Sequence, residues 1–155
     1  MDLVKRIQED LVRSMKERDE MRLGTLRMLK AALQVAQVEK GKGNDLSDDE
    51  VLAVVQRLIK QRREASEQYR SHGVADRADQ ELAEAAILEG YMPEQLGDAE
   101  LLSLARQAAL ESGAKSPRDM GKVMGFLMPR VKGRAEGNRV KAAVTEVLQE
   151  GTAQS

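Results

Sequence analysis

The chain has 155 residues, a net charge of −1, no cysteine, no tryptophan and one histidine, His72. Disulfides, thiolate catalysis and Cys/His zinc sites are thereby excluded, and the length allows one domain or two small ones. With one phenylalanine and two tyrosines, the flat aromatic platforms of sheet-type RNA binders are not available.

Leu, Ala, Val, Met, Glu, Gln, Lys and Arg dominate, so the fold class read from composition is all-α. The start, MDLVKRIQED, has no apolar run after a basic segment, and no stretch is apolar for long enough to cross a bilayer. The expectation is a soluble, cytoplasmic protein without a signal peptide. The charge is uneven: +2 over residues 1–73, −7 over 74–113 and +4 over 114–155. That pattern implies either a polarised surface or solvated helix faces.

Leu3, Val4, Ile7, Leu11 and Met15 mark a first amphipathic helix, about residues 2–17. Leu23, Leu26, Leu29, Leu33 and Ala36 give the second its apolar side. Arg22 and Arg27 lie elsewhere on that helix, available for phosphate or for Glu17, Asp19 and Glu20. GKGND (41–45) is a loop without the Gly-Lys-Ser/Thr ending of a phosphate-binding loop. Ser47 and Glu50 form a capping box, and the third helix runs to about Ser71, with Gly73 as its stop. His72 falls at the C-terminal end of that helix, where a protonated imidazole is favoured. A fourth helix spans Asp76 to Met92, packed through Leu82, Ala83, Ala86, Ile87 and Tyr91. Pro93 disfavours helical geometry at Met92, so the module boundary is placed at 92–97. Asp98 caps a fifth helix carrying Leu101, Leu102, Ala105, Ala108 and Ala109.

The stretch SPRDMGKVMGFLMPRVKGRAEGNRVK (116–141) is the most unusual. Ser116 serves as N-cap, Pro117 as first helical residue and Asp119 lies in the first turn of a sixth helix. Met120, Val123, Met124, Leu127, Met128 and Val131 form its apolar stripe. Gly121 and Gly125 each cost about 1 kcal/mol against alanine, so something is expected close to the backbone there. Pro129 clashes with the carbonyl four residues earlier, and the missing side chain of Gly125 eases that kink. Gly133 ends the helix. The seventh runs from about Glu136 to Glu150 with Val140, Val144, Val147 and Leu148 as its core side.

The expected architecture is therefore an N-terminal four-helix module (residues 1–92) and a small C-terminal three-helix bundle (98–150), followed by a disordered tail (151–155).

DMGKVMG (119–125) followed by GRAEG (133–137) resembles the paired C-terminal motifs of the GatB/YqeY family. That family comprises free-standing YqeY-like proteins and the tail domain of the B subunit of the tRNA-dependent amidotransferase. RLGTLRML (22–29), IKQRREASEQYRSHG (59–73) and YMPEQL (91–96) are similar to its other motifs, so the likeness covers nearly the whole chain. Gly24 stands where the family often has a small polar residue, and Glu136 where it usually has aspartate. The motif residues are Asp119, Met120, Gly121, Lys122, Gly125, Gly133, Arg134, Glu136 and Gly137. The resemblance implies contact with tRNA by shape. It also implies association with glutamine-dependent carbon–nitrogen ligases whose chemistry lies in other domains.

No catalytic residue, metal site or cofactor is expected: no paired carboxylates or metal-ligand spacing stand out, and the one histidine is poorly placed. Arg118, Lys122, Arg130, Lys132, Arg134, Arg139 and Lys141 place seven cations within 24 positions. Cations so clustered suit phosphates, and amides at the start of the seventh helix suit an anion. The expected RNA-binding residues are Lys122, Lys132, Arg134, Gly137 and Lys141, with Arg134 foremost. Alternatively, Gly133 and Gly137 only shape a turn, Glu136 occupies the positive helix end, and the chain docks onto an amidotransferase or synthetase through the Gly121–Gly125 helix.

Overall fold

The computed structural model describes residues 2–153. Seven α-helices and one 3-10 turn, with no strand, make up the regular structure among the described residues. They are α1 (Leu3–Glu17), α2 (Glu20–Lys40), α3 (Asp48–Ser71), α4 (Ala75–Glu89), α5 (Asp98–Ser112), α6 (Met120–Val131) and α7 (Gly137–Ala153), with the 3-10 turn at Pro117–Asp119. The all-α fold class, four helices followed by three, is as expected. The chain divides into two compact units, Met1–Met92 and Pro93–Ser155.

Helix starts in the N-terminal unit follow local chemistry. Asp2 caps α1 by accepting from the Lys5 amide (3.1 Å), and Asp19 caps α2 by accepting from the Arg22 amide (3.2 Å). The Arg22 guanidinium also lies 3.6 Å from Asp19. The capping box at α3 is present: Ser47 Oγ accepts from the Glu50 amide, and Glu50 accepts from the Ser47 amide. Glu50 additionally receives Lys40 Nζ at 2.6 Å, tying the end of α2 to the start of α3. These bonds hold the Glu50 carboxyl at about 2, against an ordinary 4.5, with Lys40 the largest cause.

The core of this unit collects Leu3, Ile7 and Leu11 from α1, Leu26, Leu29 and Leu33 from α2, and Val51, Val55 and Leu58 from α3. Each such side chain contributes about 1.5–3 kcal/mol when fully buried. Tyr91 closes the core after α4. Its hydroxyl donates to Asp10 Oδ2 at 2.6 Å, and the Arg6 guanidinium sits 5.0 Å from the ring centre while donating to the Gly90 carbonyl. Burial, and then the Asp10 carboxylate, push the phenol above its usual range.

The buried face of α4 differs from expectation. Ala78, Ala85 and Leu88 are buried, whereas Leu82 is 43% exposed. Helices α3 and α4 meet through small residues, with Ser66 Oγ donating to the Ala78 carbonyl at 3.0 Å. A reading weighted by large aliphatic side chains misplaces such a seam.

In the C-terminal unit, α5 starts differently from expectation: Gly97 is the N-cap, and Asp98 belongs to the first turn. Leu101, Ala105, Ala108 and Ala109 pack against Val123, Leu127 and Val131 of α6 and Val140, Val144, Val147 and Leu148 of α7. The entry to α6 is also different, because Pro117–Asp119 forms a 3-10 turn and Ser116 makes no side-chain cap bond. The expected disordered tail does not begin at residue 151, since α7 continues through Ala153. A single glycine costs about 1 kcal/mol, too little to stop a helix anchored by Val147 and Leu148. Gln154 and Ser155 lie outside the described residues.

The segment 93–97, read from sequence as a linker, belongs to the C-terminal unit. Leu96 is buried in that core, and its amide donates to the Arg134 carbonyl at 2.8 Å. The Gln95 side chain donates to the Gly133 carbonyl at 2.9 Å. Arg139 donates to the Leu96 carbonyl (2.8 Å) and to Asp98 Oδ1 (2.7 Å). This strap lies across the turn between α6 and α7.

Three outcomes are expected. Tyr91→Phe should lower unfolding free energy by about 1–3 kcal/mol in urea titration, because Asp10 loses a donor; an unchanged midpoint would discount that bond. Arg139→Met should cost about 1–2 kcal/mol, by loss of the donor to the Leu96 carbonyl, and wild-type stability would show that the strap needs no arginine. The lowered carboxyl of Glu50 contributes stability above pH 4.5 that disappears as pH falls through about 2. The melting-temperature gap between wild type and Glu50→Gln should thus be full near neutral pH and closed at about pH 2; a pH-independent gap contradicts this.

Candidate nucleic-acid interface

The basic residues of 118–141 do not form one surface of like charge. Acidic residues of α5 neutralise several of them. Arg130 pairs with Glu111, Arg139 with Asp98, and Arg134 lies 3.9 Å from Glu100. Arg106 of α5 pairs in turn with Glu150 of α7 at 3.0 Å. Much of the −7 and +4 separation in sequence is thus cancelled between neighbouring helices. Exposed pairs of this kind contribute only about 0–1 kcal/mol each, so their main effect is on surface potential.

Arg134, the foremost expected phosphate ligand, is placed otherwise. Its side chain is 37% exposed, and its Nε donates to the Glu94 carbonyl at 3.4 Å. Its backbone carbonyl is occupied by Leu96. The guanidinium faces the strap because the turn, with Gly133 left-handed at φ 76°, brings residue 134 beside residues 94–96. Arg134, the expected foremost phosphate ligand, is thus engaged with Glu94 and Glu100 within the fold while its side chain stays partly exposed.

Asp119 accepts from the Lys115 amide at 2.8 Å and lies 4.0 Å from Lys122 Nζ. The Lys115 amide, chiefly, holds its carboxyl below the usual range. Asp119 thus closes the turn that leads into α6. Met120 is partly buried against the core.

Gly121 and Gly125 are exposed, and a Cβ at either would meet nothing within 4 Å. No part of the chain itself makes the close approach expected at these glycines, and the Pro129 ring does not fill the space at Gly125. Helix α6 continues through Pro129 to Val131. The outer face of α6 instead presents open backbone at Gly121 and Gly125, flanked by Lys122, 68% exposed, and by Phe126, 46% exposed. Lys132 is exposed just beyond the end of α6, ten residues and about 15 Å along the axis from Lys122. Helical steps of 3.6 residues put both lysines on the glycine side of α6, opposite Val123, Leu127 and Val131.

Gly137 opens α7, with Glu136 exposed before it and the Val140 amide donating to the Glu136 carbonyl at 3.1 Å. Lys141 is exposed one turn further along. The structure therefore groups Lys132, Glu136 and Gly137 about the α6–α7 turn, sets Lys122 at the far end of α6, and turns Arg134 inward.

The roles of three residues were missed in the sequence. Phe126 was detectable, because it falls four residues after Lys122 and outside the apolar stripe. The strap role of Gln95 and Arg139 carried no local signal, since their partners are 38 and 43 residues away. His72 acts in capping, with Nδ1 2.7 Å from the Gln68 carbonyl. Among the described residues, no group of three or more His, Asp or Glu converges as a metal site, and no helix is long and apolar enough to cross a membrane.

Residues 4–148 match the family model described as Yqey-like protein. The chain is also 29% identical over 146 residues to "Altered inheritance of mitochondria protein 41, mitochondrial" of Pyrenophora tritici-repentis (strain Pt-1C-BFP), an alignment covering 92% of this chain and 79% of the relative. With all but a few residues at either end matched, the chain belongs to the YqeY-like family.

Proposed function

We propose that this protein is a non-catalytic adaptor that binds tRNA or another structured RNA along the outer face of α6. The observation that carries the reading is the open backbone at Gly121 and Gly125, with exposed Lys122 beside Gly121 and exposed Lys132 beyond the end of the helix. A sugar–phosphate chain can lie close against a helix stripped of side chains. Lysines at each end then supply contacts that fix position without reading sequence. Phe126 at the edge of the face offers a single ring on which an unpaired base can stack. Lys141 and the α7 start at Gly137 extend the surface past the turn. Under this reading, any link to a glutamine-dependent amidotransferase, a carbon–nitrogen ligase, is one of association, as the resemblance to the amidotransferase B tail domain implies. The cytoplasmic compartment is part of the same proposal; the fungal relative is named as mitochondrial.

A second reading rests on Phe126. An exposed aromatic ring beside two glycines also suits a helix of an amidotransferase or synthetase, because small residues let helices approach closely.

Filter binding with bulk tRNA at low and moderate salt tests the first reading. Lys122→Ala should reduce the log–log salt slope by roughly 0.7–0.9. Gly125→Leu should weaken binding while keeping or raising the melting temperature, because nothing within the chain stands near that Cβ and a glycine inside a helix costs about 1 kcal/mol. Arg134→Ala should act mainly on the melting temperature. Absence of tRNA binding at low salt, or full binding by Gly125→Leu, overturns the RNA reading and favours the docking one.

A further inference from the structure

Phe126 is the one aromatic residue of the C-terminal unit, and the core there does not use it. Val123, Leu127 and Val131 of the same helix are buried, whereas Phe126 is 46% exposed and lies outside their stripe. Lys122 stands one turn before it and Arg130 one turn after. The three form a ridge with steps of about 6 Å along α6. The two cations are not equivalent. Arg130 is paired with Glu111 of α5, whereas Lys122 is 68% exposed, with Asp119 4.0 Å away. The ring thus stands beside the open backbone of Gly125, next to a cation that projects into solvent. The solvent side of a surface helix is typically charged or polar. A phenylalanine there has no hydrogen bond to offer, only a flat apolar face.

We propose that this face selects an unpaired stretch of RNA, with one base stacked on Phe126 and a flanking phosphate on Lys122. The inference rests on the RNA reading above and narrows it to a ligand class. Stacking is the contact that a lone ring supplies, and it accepts any base, because every base has a π face. A duplex has its base faces covered by their neighbours. It offers α6 only a wide, shallow groove edged by sugars and phosphates, where the ring finds nothing to stack on. The lysines do not make this distinction, since phosphate contacts are common to both forms. One ring reads one base, which suits a loop, a bulge or a strand end.

Fluorescence anisotropy on the full chain is the test. The probes are a labelled strand of about 12 ribonucleotides without self-pairing, and the same strand annealed to its complement. The single strand should bind more tightly than the duplex at moderate salt, where phosphate contacts are weakened. Phe126→Leu keeps the apolar bulk and removes the ring. It should weaken single-strand binding about 5- to 150-fold and leave duplex binding unchanged. Its log–log salt slope should equal that of wild type, because no charge is lost. Phe126→Trp should bind the single strand at least as tightly as wild type. Both variants should keep the wild-type melting curve, since position 126 lies outside the core. Duplex binding as tight as single-strand binding, or wild-type single-strand affinity in Phe126→Leu, overturns this inference and leaves the RNA reading standing. Absence of binding to either probe at low salt overturns both.

Discussion

Burying Leu96 imposes a requirement on the backbone beside it. A peptide group taken from water without a partner costs about 1–3 kcal/mol. The strap meets this requirement on both sides: the Leu96 amide donates to the Arg134 carbonyl, and the Leu96 carbonyl accepts from Arg139. Gln95 adds a bond to Gly133. These partners fix the α6–α7 turn and the start of α5 together. The YMPEQL and GRAEG stretches, far apart in sequence, are thus two sides of one hydrogen-bonded arrangement. Motif residues in the turn have a structural reason to be what they are before any ligand is invoked.

The same arrangement decides what the surface offers. Arginines of the C-terminal stretch are drawn to nearby acids and carbonyls, as suits a planar guanidinium with several fixed donors. Arg130, Arg134 and Arg139 all have such partners. The lysines at positions 122 and 141 are left on the solvent side, where a mobile ammonium suits a phosphate chain of no fixed geometry. The change from a net basic stretch to a short lysine-flanked helix face moves the binding proposal from the turn to α6.

Both units carry a helix with more apolar or open surface than its own core uses. In α6 the extra face consists of exposed glycines and a phenylalanine; in α2 it is the exposed side chains of Met21, Val35 and Val38. A helix that is apolar on opposite sides is usually covered on both. The two faces differ in kind.

Helix number and order, the capping box at Ser47 and Glu50, and the core sides of α2, α5 and α7 were legible because each rests on local periodicity or on groups within one turn; for α1, Leu3, Ile7 and Leu11 are buried but Val4 and Met15, expected on the same side, are exposed. The sequence by itself also determined that Gly121 and Gly125 share a flank of α6, since that follows from 3.6 residues per turn. It did not determine what stands opposite them. That depends on the other helices, and the tertiary structure leaves the flank open. The buried face of α4 was misread for a related reason: Ala78 and Ala85 are buried by how closely α3 approaches, which residue size does not reveal. The role of Arg134 was decided only by the fold, because its partners Glu94 and Glu100 lie 40 and 34 residues earlier. Local patterns carry local hydrogen bonds and burial stripes; charge pairing across such separations exists only once the helices have packed.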